Sequence, residues 1–254
     1  MRWVAALAAL ALLAGCGDDD SADGGGGGAS KPTITVSAAA SMKEALTACA
    51  PGFSDATVKL QFAGSDELAA QIRQGVPVDV FAAANTKLPD ALAAEGKLED
   101  PQEFASNQLV LAVPAEDAQV DSLADLEQPG VKLVIGSEGV PVGDYTRKVL
   151  ANLGAERSAK ILANVRSEEP VVKGVVGKLT QGAADAGFVY ASDVKATKGQ
   201  LKAIPLPARL EPTATYAAGV VSASKQQDAA KAFVDDLVSG DCHQALLDAG
   251  FGEP

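Results

Sequence analysis

The 254-residue sequence has few aromatic residues and too little positive charge to balance its acidic side chains. Phe, Trp and Tyr together make up 4% of the chain, and the formal net charge is −12. This balance argues against nucleic acid as a partner, because phosphate backbones require a basic surface. It also gives no long-range attraction for a small anion, so an anion site here has to hold its ligand through local dipoles.

Residues typical of catalytic sites are equally scarce. The only histidine, His243, lies beside Cys242 near the C-terminus. No Ser/His/Asp set, metal cluster or glycine-rich phosphate loop accompanies it in the sequence. We therefore predict that the protein is not an enzyme.

Residues 1–15 have the features of a secretion signal. Arg2 precedes an apolar stretch, residues 3–14, that is too short to span a bilayer comfortably. The stretch ends in residues 13–16 (LAGC), which resemble the lipobox of bacterial lipoproteins, whose cysteine is acylated and becomes the mature N-terminus. We predict a lipoprotein signal peptide over residues 1–15 and lipidation of Cys16. An ordinary signal peptide with an incidental cysteine is the alternative.

Residues 16–31 continue as an acidic and glycine-rich segment that cannot bury apolar surface. Such a segment is expected to be a flexible linker. Anchor, linker and folded body together predict an extracytoplasmic protein held at the cell membrane through its N-terminal lipid. A surface lipoprotein with an adhesive or structural role is an alternative, which predicts no tight small ligand.

Two further cysteines, Cys49 and Cys242, lie far apart in the sequence. Disulfides persist in exported proteins. A bridge between these two would close most of the folded chain into a loop and stabilise it by about 4–5 kcal/mol in the chain-entropy model. Two separate buried thiols are the alternative.

From residue 33 onward, strand patterns alternate with helix patterns, which predicts α/β layers around a mainly parallel sheet. Ser41 and Glu44 have the spacing of a capping box, and Pro170 suits the first turn of a helix. The predicted strands are residues 33–38, 58–63, 78–82, 109–113, 133–136, 186–190 and 216–222. The predicted helices are residues 41–49, a helix from about 65 to Gly75, 144–153, one from 170 through 179, and 225–237.

Several of these helices begin directly after a strand, where ligands of open α/β sheets bind. A helix N-terminus offers unpaired N–H groups and a partial positive charge, so several that converge can hold an anion without Lys or Arg. The candidate turns are residues 40–41, 64–65, 141–143 and 171–172. An unprotonated dianion such as molybdate, tungstate or sulfate needs only donors, whereas phosphate usually keeps a proton and needs an acceptor. Taken singly, Ser41 and Ser65 are equally compatible with plain N-caps, and Tyr190 with a core tyrosine.

Six segments, in order along the chain, resemble the periplasmic molybdate-binding proteins of ABC importers. They are residues 38–42 (AAASM), 62–65 (FAGS), 75–84 (GVPVDVFAAA), 140–145 (VPVGDY), 172–176 (VKGVV) and 187–193 (GFVYASD). Each segment is a weak signal by itself, but the ordered set covers nearly the whole body of the chain.

This resemblance implies a type II periplasmic-binding-protein fold with two lobes, each a mixed sheet flanked by helices, and the ligand in the cleft between them. Lobe 1 would comprise residues 32–108 and 213–254, and lobe 2 residues 109–212, with hinge closure over the ligand. The implied function is high-affinity capture of molybdate, and of tungstate, by a monomer that delivers it to an ABC permease. No cofactor and no direct metal ligand are implied, because the metal is held through its oxo groups.

The resemblance also implies a set of ligand contacts. They are the hydroxyl and N–H groups of Ser41 and Ser65, the N–H groups of Val142 and Val172, and the hydroxyl of Tyr190. Val142 stands where the family often has alanine, which a backbone contact tolerates. Asp66 follows Ser65 where a small polar residue is common, and we expect it in the exposed first turn of its helix. A carboxylate of Asp66 facing the cleft would favour hydrogen phosphate, so sulfate, phosphate or another oxoanion is the alternative ligand.

Overall fold

A computed structural model of the protein describes residues 31–116, 118–210 and 212–254. The predicted signal peptide, Cys16 and the linker through Ser30 lie outside the described residues. Residues 31–254 form one compact unit. Within the described ranges, no helix is both long and apolar enough to cross a bilayer.

The secondary structure alternates between strands and helices over most of this unit. The strands are β1 Thr33–Ala39, β2 Thr57–Ala63, β3 Val80–Ala83, β4 Leu98–Pro114, β5 Leu133–Gly136, β6 Val165–Glu169, β7 Ala186–Tyr190, β8 Leu201–Pro205 and β9 Thr213–Val221. The helices are α1 Lys43–Cys49, α2 Ser65–Arg73, α3 Lys87–Ala94, α4 Pro141–Ala151, α5 Ala155–Leu162, α6 Val172–Thr180, α7 Ala191–Ala196, α8 Gln227–Ser239 and α9 Asp241–Ala249. Short 3-10 turns lie at Ala40–Met42, Ala50–Gly52, Leu123–Glu127 and Ala208–Leu210.

The strands form a mixed sheet in the order β2-β1-β3-β9-β4-β7-β5-β6, with β8 also paired to β4. β1 is parallel to β2 and β3, and β5 is parallel to β6 and β7. β4 and β9 run antiparallel to their neighbours. The prediction of a mainly parallel sheet from strand–helix alternation was therefore wrong, because alternation does not reveal two long antiparallel strands at the centre. The mixed sheet flanked by helices that the resemblance implies is confirmed.

β4 is much longer than the predicted strand over residues 109–113. Its first part pairs with β9 up to Gln108 opposite Thr213, and from Leu109 it pairs with β7. Register shifts between Glu99 and Gln102 admit Pro101, which a regular central strand excludes. Because of these interruptions, the first half of β4 has no regular alternation of apolar and polar residues, and it was not predicted as a strand.

Several predicted boundaries also differ from the structure. Ser41 lies inside the 3-10 turn rather than at an N-cap, and no side chain caps α1, so the predicted capping box is wrong. Helix α4 begins at Pro141, three residues before the predicted start at Asp144. Pro170 lies before α6, whose N-cap is Val171. The elements β6, β8, α3, α5, α7 and α9 were not predicted.

A continuous apolar core lies between the sheet and its helices. Its largest fully buried side chains include Phe104, Phe188 and Phe233. Helix α1 is joined to α9 by a disulfide between Cys49 and Cys242, with 5.1 Å between their Cα atoms. The bridge closes a loop with a sequence separation of 193 residues, for which the chain-entropy model gives about 5 kcal/mol. It fixes the helix that directly follows the Ser41 turn.

Candidate functional site

One small cavity lies at the carboxyl ends of β1, β2 and β7, the edge at which ligands of α/β sheets bind. The structure brings all five sequence-predicted contact residues to its wall: Ser41, Ser65, Val142, Val172 and Tyr190. The other lining residues are Ala39, Ala40, Ala63, Gly64, Ala84, Val140, Pro141 and Val171. The cavity has a volume of about 20 Å³. One water molecule needs roughly 10–15 Å³, so the cavity suits a ligand of few atoms.

Four helical segments begin at the cavity wall, and no side chain caps any of them. Their N-cap residues are Ala39, Gly64, Val140 and Val171, at the starts of the 3-10 turn, α2, α4 and α6 respectively. None of these four residues has a side-chain acceptor for a backbone N–H. No N-cap side chain therefore occupies the first N–H groups, which in α4 begin at Val142 because Pro141 has none, and the positive end of each helix dipole faces the same region. Several such ends around one cavity favour a bound anion.

The start of α4 is held in place by a tightly packed turn. A Cβ atom on Gly143 would lie 1.9 Å from the carbonyl oxygen of Ser137 and 2.6 Å from that of Gly136. Asp144 Oδ1 accepts a hydrogen bond from the N–H of Gly139 at 2.8 Å. Arg147 Nη1 donates to the Gly136 carbonyl at 3.0 Å. These contacts hold the turn that carries the Val142 N–H, and the buried Val142 side chain packs against Gly136 in the same turn.

The two serines at the wall have hydroxyl oxygens that are already engaged by the protein. Ser65 Oγ accepts a hydrogen bond from the Ala84 N–H at 3.1 Å. Ser41 Oγ lies 2.9 Å from the hydroxyl of Tyr216, a residue on β9. Both serines are buried, and neither caps a helix. Because an N–H can only donate, the Ser65 hydroxyl proton stays free for a ligand.

Tyr190, at the end of β7, contributes the one wall hydroxyl without a partner. Its side chain is only 1% exposed, and its hydroxyl oxygen has no hydrogen-bond partner in the structure. Burial raises the pKa of Tyr190 well above its ordinary value, so the hydroxyl keeps its proton at neutral pH. An unpaired buried polar group costs about 1–3 kcal/mol, a cost that a bound acceptor would remove.

Charged side chains lie behind the wall rather than on it. Lys173 Nζ is 2.9 Å from Glu44 Oε2 and 3.2 Å from Asp193 Oδ1. Asp193 Oδ2 accepts a hydrogen bond from the Tyr190 N–H at 3.2 Å. Burial raises the pKa of Asp193 to about 6, and the Lys173 charge opposes that rise. Lys173 thus links the first helix after β1 to the segment that carries Tyr190.

Asp66 lies in the first turn of α2, as the sequence predicted, but it is half-buried rather than exposed. It is not among the residues that line the cavity. Its Oδ1 atom is buried, has no hydrogen-bond partner and lies 2.7 Å from where a Cβ atom on Gly64 would be. The carboxylate therefore packs against the backbone of the α2 N-terminus.

Three residues that support the site were not singled out from the sequence: Tyr216, Lys173 and Asp193. Lys173 and Asp193 lie inside two of the recognised segments, so a signal for them existed. Tyr216 has no such signal, because its partner Ser41 is 175 residues away in the chain. In the described residues, no group of three or more His, Cys, Asp or Glu side chains is placed to hold a metal ion.

These features define an α/β ligand-binding protein whose small cavity offers hydrogen-bond donors. Residues 34–252 match the family model of the bacterial extracellular solute-binding proteins. The chain belongs to this family, and it is an extracytoplasmic solute-binding protein.

Relatives within this family are similar over nearly the whole chain. The molybdate-binding protein ModA of Mycobacterium tuberculosis is 33% identical over 100% of both chains. A solved substrate-binding domain from Clostridium difficile, assigned to a molybdenum ABC transporter, is 31% identical with a TM-score of 0.68, and the match covers 88% of this chain and 100% of that one. The periplasmic molybdate-binding protein of Azotobacter vinelandii, at 21% identity, shares the fold with a TM-score of 0.77 over 87% of this chain and 99% of its own.

Proposed function

We propose that the protein captures molybdate with high affinity outside the cytoplasm and delivers it to an ABC importer. The observation that carries this proposal is the Tyr190 hydroxyl, which is buried at the cavity wall without a partner. A ligand that only accepts hydrogen bonds would pair with it and with the uncapped helix N-termini around it. The names of the Mycobacterium and Azotobacter relatives support molybdate as that ligand.

The proposed contacts are those implied by the sequence. The hydroxyl and N–H groups of Ser41 and Ser65, the N–H groups of Val142 and Val172, and the Tyr190 hydroxyl would donate to the four oxo groups. No carboxylate, side-chain amide or imidazole is present among the described residues that line the cavity. This donor set suits molybdate and tungstate alike, and it disfavours hydrogen phosphate, whose proton needs an acceptor. No catalytic step and no resident cofactor are part of the proposal.

Two lobes would close over the anion by a hinge motion. The change of β4 partners at Gln108 and Leu109, with Thr213 opposite Gln108, supports lobes of residues 32–108 plus 213–254 and of residues 109–212. Donors from both segments would meet at the ligand, so binding would stabilise the closed form. The closed monomer would then dock on the permease.

The N-terminal anchor is a separate part of the proposal. Residues 13–16 resemble a lipobox, and the acidic, glycine-rich residues after Cys16 suit a linker between lipid and folded body. We expect the membrane-extracted protein to begin at Cys16 and to carry acyl groups. Intact-mass spectrometry measures this, and a mature chain that begins elsewhere without lipid would contradict it.

Calorimetry on the mature protein at pH 7.5 tests the ligand. Molybdate, tungstate, sulfate and phosphate are titrated separately under one buffer and salt condition. We expect tight binding of molybdate and tungstate and much weaker binding of sulfate and phosphate. A preference for phosphate would implicate Asp66 as a proton acceptor, and a preference for sulfate would indicate a smaller cavity in solution. Binding of none of the four would refute the receptor function.

A further inference from the structure

Tyr216 lies directly behind the cavity wall and contacts both of its sides. Its hydroxyl is 2.9 Å from Ser41 Oγ, and its ring lies edge-to-face against Tyr190 with 5.9 Å between centroids. Phe104 and Phe251 enclose the rest of the ring, at centroid distances of 6.3 and 5.3 Å. Tyr216 is fully buried and is not among the residues that line the cavity. It is therefore placed to act on a ligand through Ser41 and not by direct contact.

The direction of the Ser41–Tyr216 hydrogen bond decides what Ser41 can offer to the cavity. A serine hydroxyl has one proton to donate and lone pairs that accept. If Ser41 donates to Tyr216, it presents only lone pairs to the cavity and repels an oxoanion. If Tyr216 donates to Ser41, the Ser41 proton is free to point at the ligand. An unprotonated oxoanion therefore requires the second arrangement.

The surroundings of Tyr216 favour that second arrangement. Burial raises the pKa of Tyr216 far above its ordinary value, so it keeps a proton that needs an acceptor. Two other buried oxygens in its surroundings, the Tyr190 hydroxyl and Asn107 Oδ1, have no partner within hydrogen-bond geometry. Asn107 uses its Nδ2 atom to donate to Ser192 Oγ at 2.7 Å. Ser41 Oγ lies within hydrogen-bond distance of the phenol at 2.9 Å, and the geometry allows it to accept this proton.

Ser65 also has a protein donor behind its hydroxyl, and the direction of that hydrogen bond is certain. The Ala84 N–H occupies a lone pair of Ser65 Oγ and cannot accept a proton in return. Both wall serines thus have a protein donor behind them, a backbone N–H for one and a phenol for the other. The phenol is the only one of the two that a side-chain substitution removes.

We propose that Tyr216 is a positioning residue that sets the preference of the site for unprotonated oxoanions, by donating to Ser41 and so holding the Ser41 hydroxyl as a donor. The inference rests on the proposed function, and it adds a specificity-determining residue that does not touch the ligand. Without the Tyr216 hydroxyl, Ser41 regains a free lone pair and rotates freely, so the site accepts a proton-bearing ligand more readily.

The test compares Tyr216→Phe with the unaltered mature protein. Phenylalanine keeps the ring that packs against Phe104, Tyr190 and Phe251, so the apo thermal unfolding temperature checks that the fold survives. We expect molybdate to bind about tenfold more weakly, the scale of one lost hydrogen bond. In competition titrations at pH 7.5, we expect the ratio of phosphate to molybdate affinity to rise by at least about tenfold. An unchanged ratio, or phosphate that fails to compete in the variant, would overturn the inference.

A double-mutant cycle with Ser41→Ala separates positioning from general packing. Because Tyr216 acts through Ser41, Tyr216→Phe should change molybdate affinity by less than about twofold once Ser41 is alanine. An equal loss in both backgrounds would mean that Tyr216 only supports the fold. If the unaltered protein itself fails to bind molybdate, the proposed function is wrong, an outcome distinct from failure of the cycle.

Discussion

The two sides of the cavity present their donors in different ways. On the serine side, formed by residues 39–41, 63–65 and 84, the hydroxyls of Ser41 and Ser65 already contact Tyr216 and the Ala84 N–H. On the backbone side, formed by residues 140–142, 171–172 and 190, two helix starts lack side-chain caps and the Tyr190 hydroxyl has no partner. Helix starts without side-chain caps lie on both sides. The serine side adds two side-chain hydroxyls, whereas the backbone side adds one, that of Tyr190, so backbone conformation has the larger share there.

The largest effect is expected from a change that alters the backbone side without touching any proposed contact. In Gly143→Ala, the added Cβ would lie 1.9 Å from the Ser137 carbonyl, so the start of α4 must move. Overpacking of this kind costs roughly 1–3 kcal/mol of stability. Displacing the Val142 N–H and its neighbours should weaken molybdate binding by about 100-fold or more, as expected when two hydrogen bonds to a charged ligand are lost. Calorimetry and thermal unfolding measure the two effects.

Gly177→Ala is the matched control for that prediction. Gly177 lies in α6, has no positive φ, and nothing lies within 4 Å of where its Cβ would be. Alanine there should leave affinity unchanged and raise stability by about 0.5–1 kcal/mol. If Gly143→Ala bound molybdate as well as Gly177→Ala does, the start of α4 would not be part of the binding site.

A smaller effect is expected from Ser65→Ala on the serine side. The variant loses one hydroxyl donor to a charged ligand, which should weaken binding by about 1–3 kcal/mol. It also leaves the buried Ala84 N–H without its acceptor, so the apo protein should be less stable as well. Calorimetry gives the first quantity and apo unfolding the second. A loss of stability with unchanged affinity would mean that Ser65 has only a structural role.

Val142→Ala is the matched change on the backbone side and should have the smallest effect. The Val142 N–H would remain, so we expect affinity to stay within about threefold of the unaltered protein. That change is less than half the free energy of one hydrogen bond to a charged group. A loss as large as that of Ser65→Ala would show that the Val142 side chain shapes the cavity, and the contrast between the two sides would disappear.

The sequence predicted the wall residues better than the sheet that positions them. Ser41, Ser65, Val142, Val172 and Tyr190 all reach one cavity, because each lies in a short segment where a strand passes directly into a turn or helix. Strand–helix alternation alone did not predict the mixed sheet, because alternation gives no strand direction. The first half of β4 was not predicted as a strand, because bulges near Pro101 interrupt its regular period.

Local pattern was also misleading at Ser41. The spacing of Ser41 and Glu44 satisfies the capping-box rule, yet Ser41 contacts Tyr216, and Glu44 pairs with Lys173. Both partners lie more than a hundred residues away in the chain, at separations of 175 and 129. These tertiary contacts take the place of the local hydrogen bonds that the spacing allows.

The sequence by itself determined, to within about three residues, where strands give way to helix starts, because these depend mainly on neighbouring residues. Only the tertiary structure decided that the Ser65 hydroxyl is held by the Ala84 N–H, that Ser41 is held by Tyr216, and that the Tyr190 hydroxyl is left without a partner. The physical reason is that a hydroxyl is donor and acceptor at once. Its role is set by the atom packed behind it, and at Ser41 that atom comes from the other end of the chain.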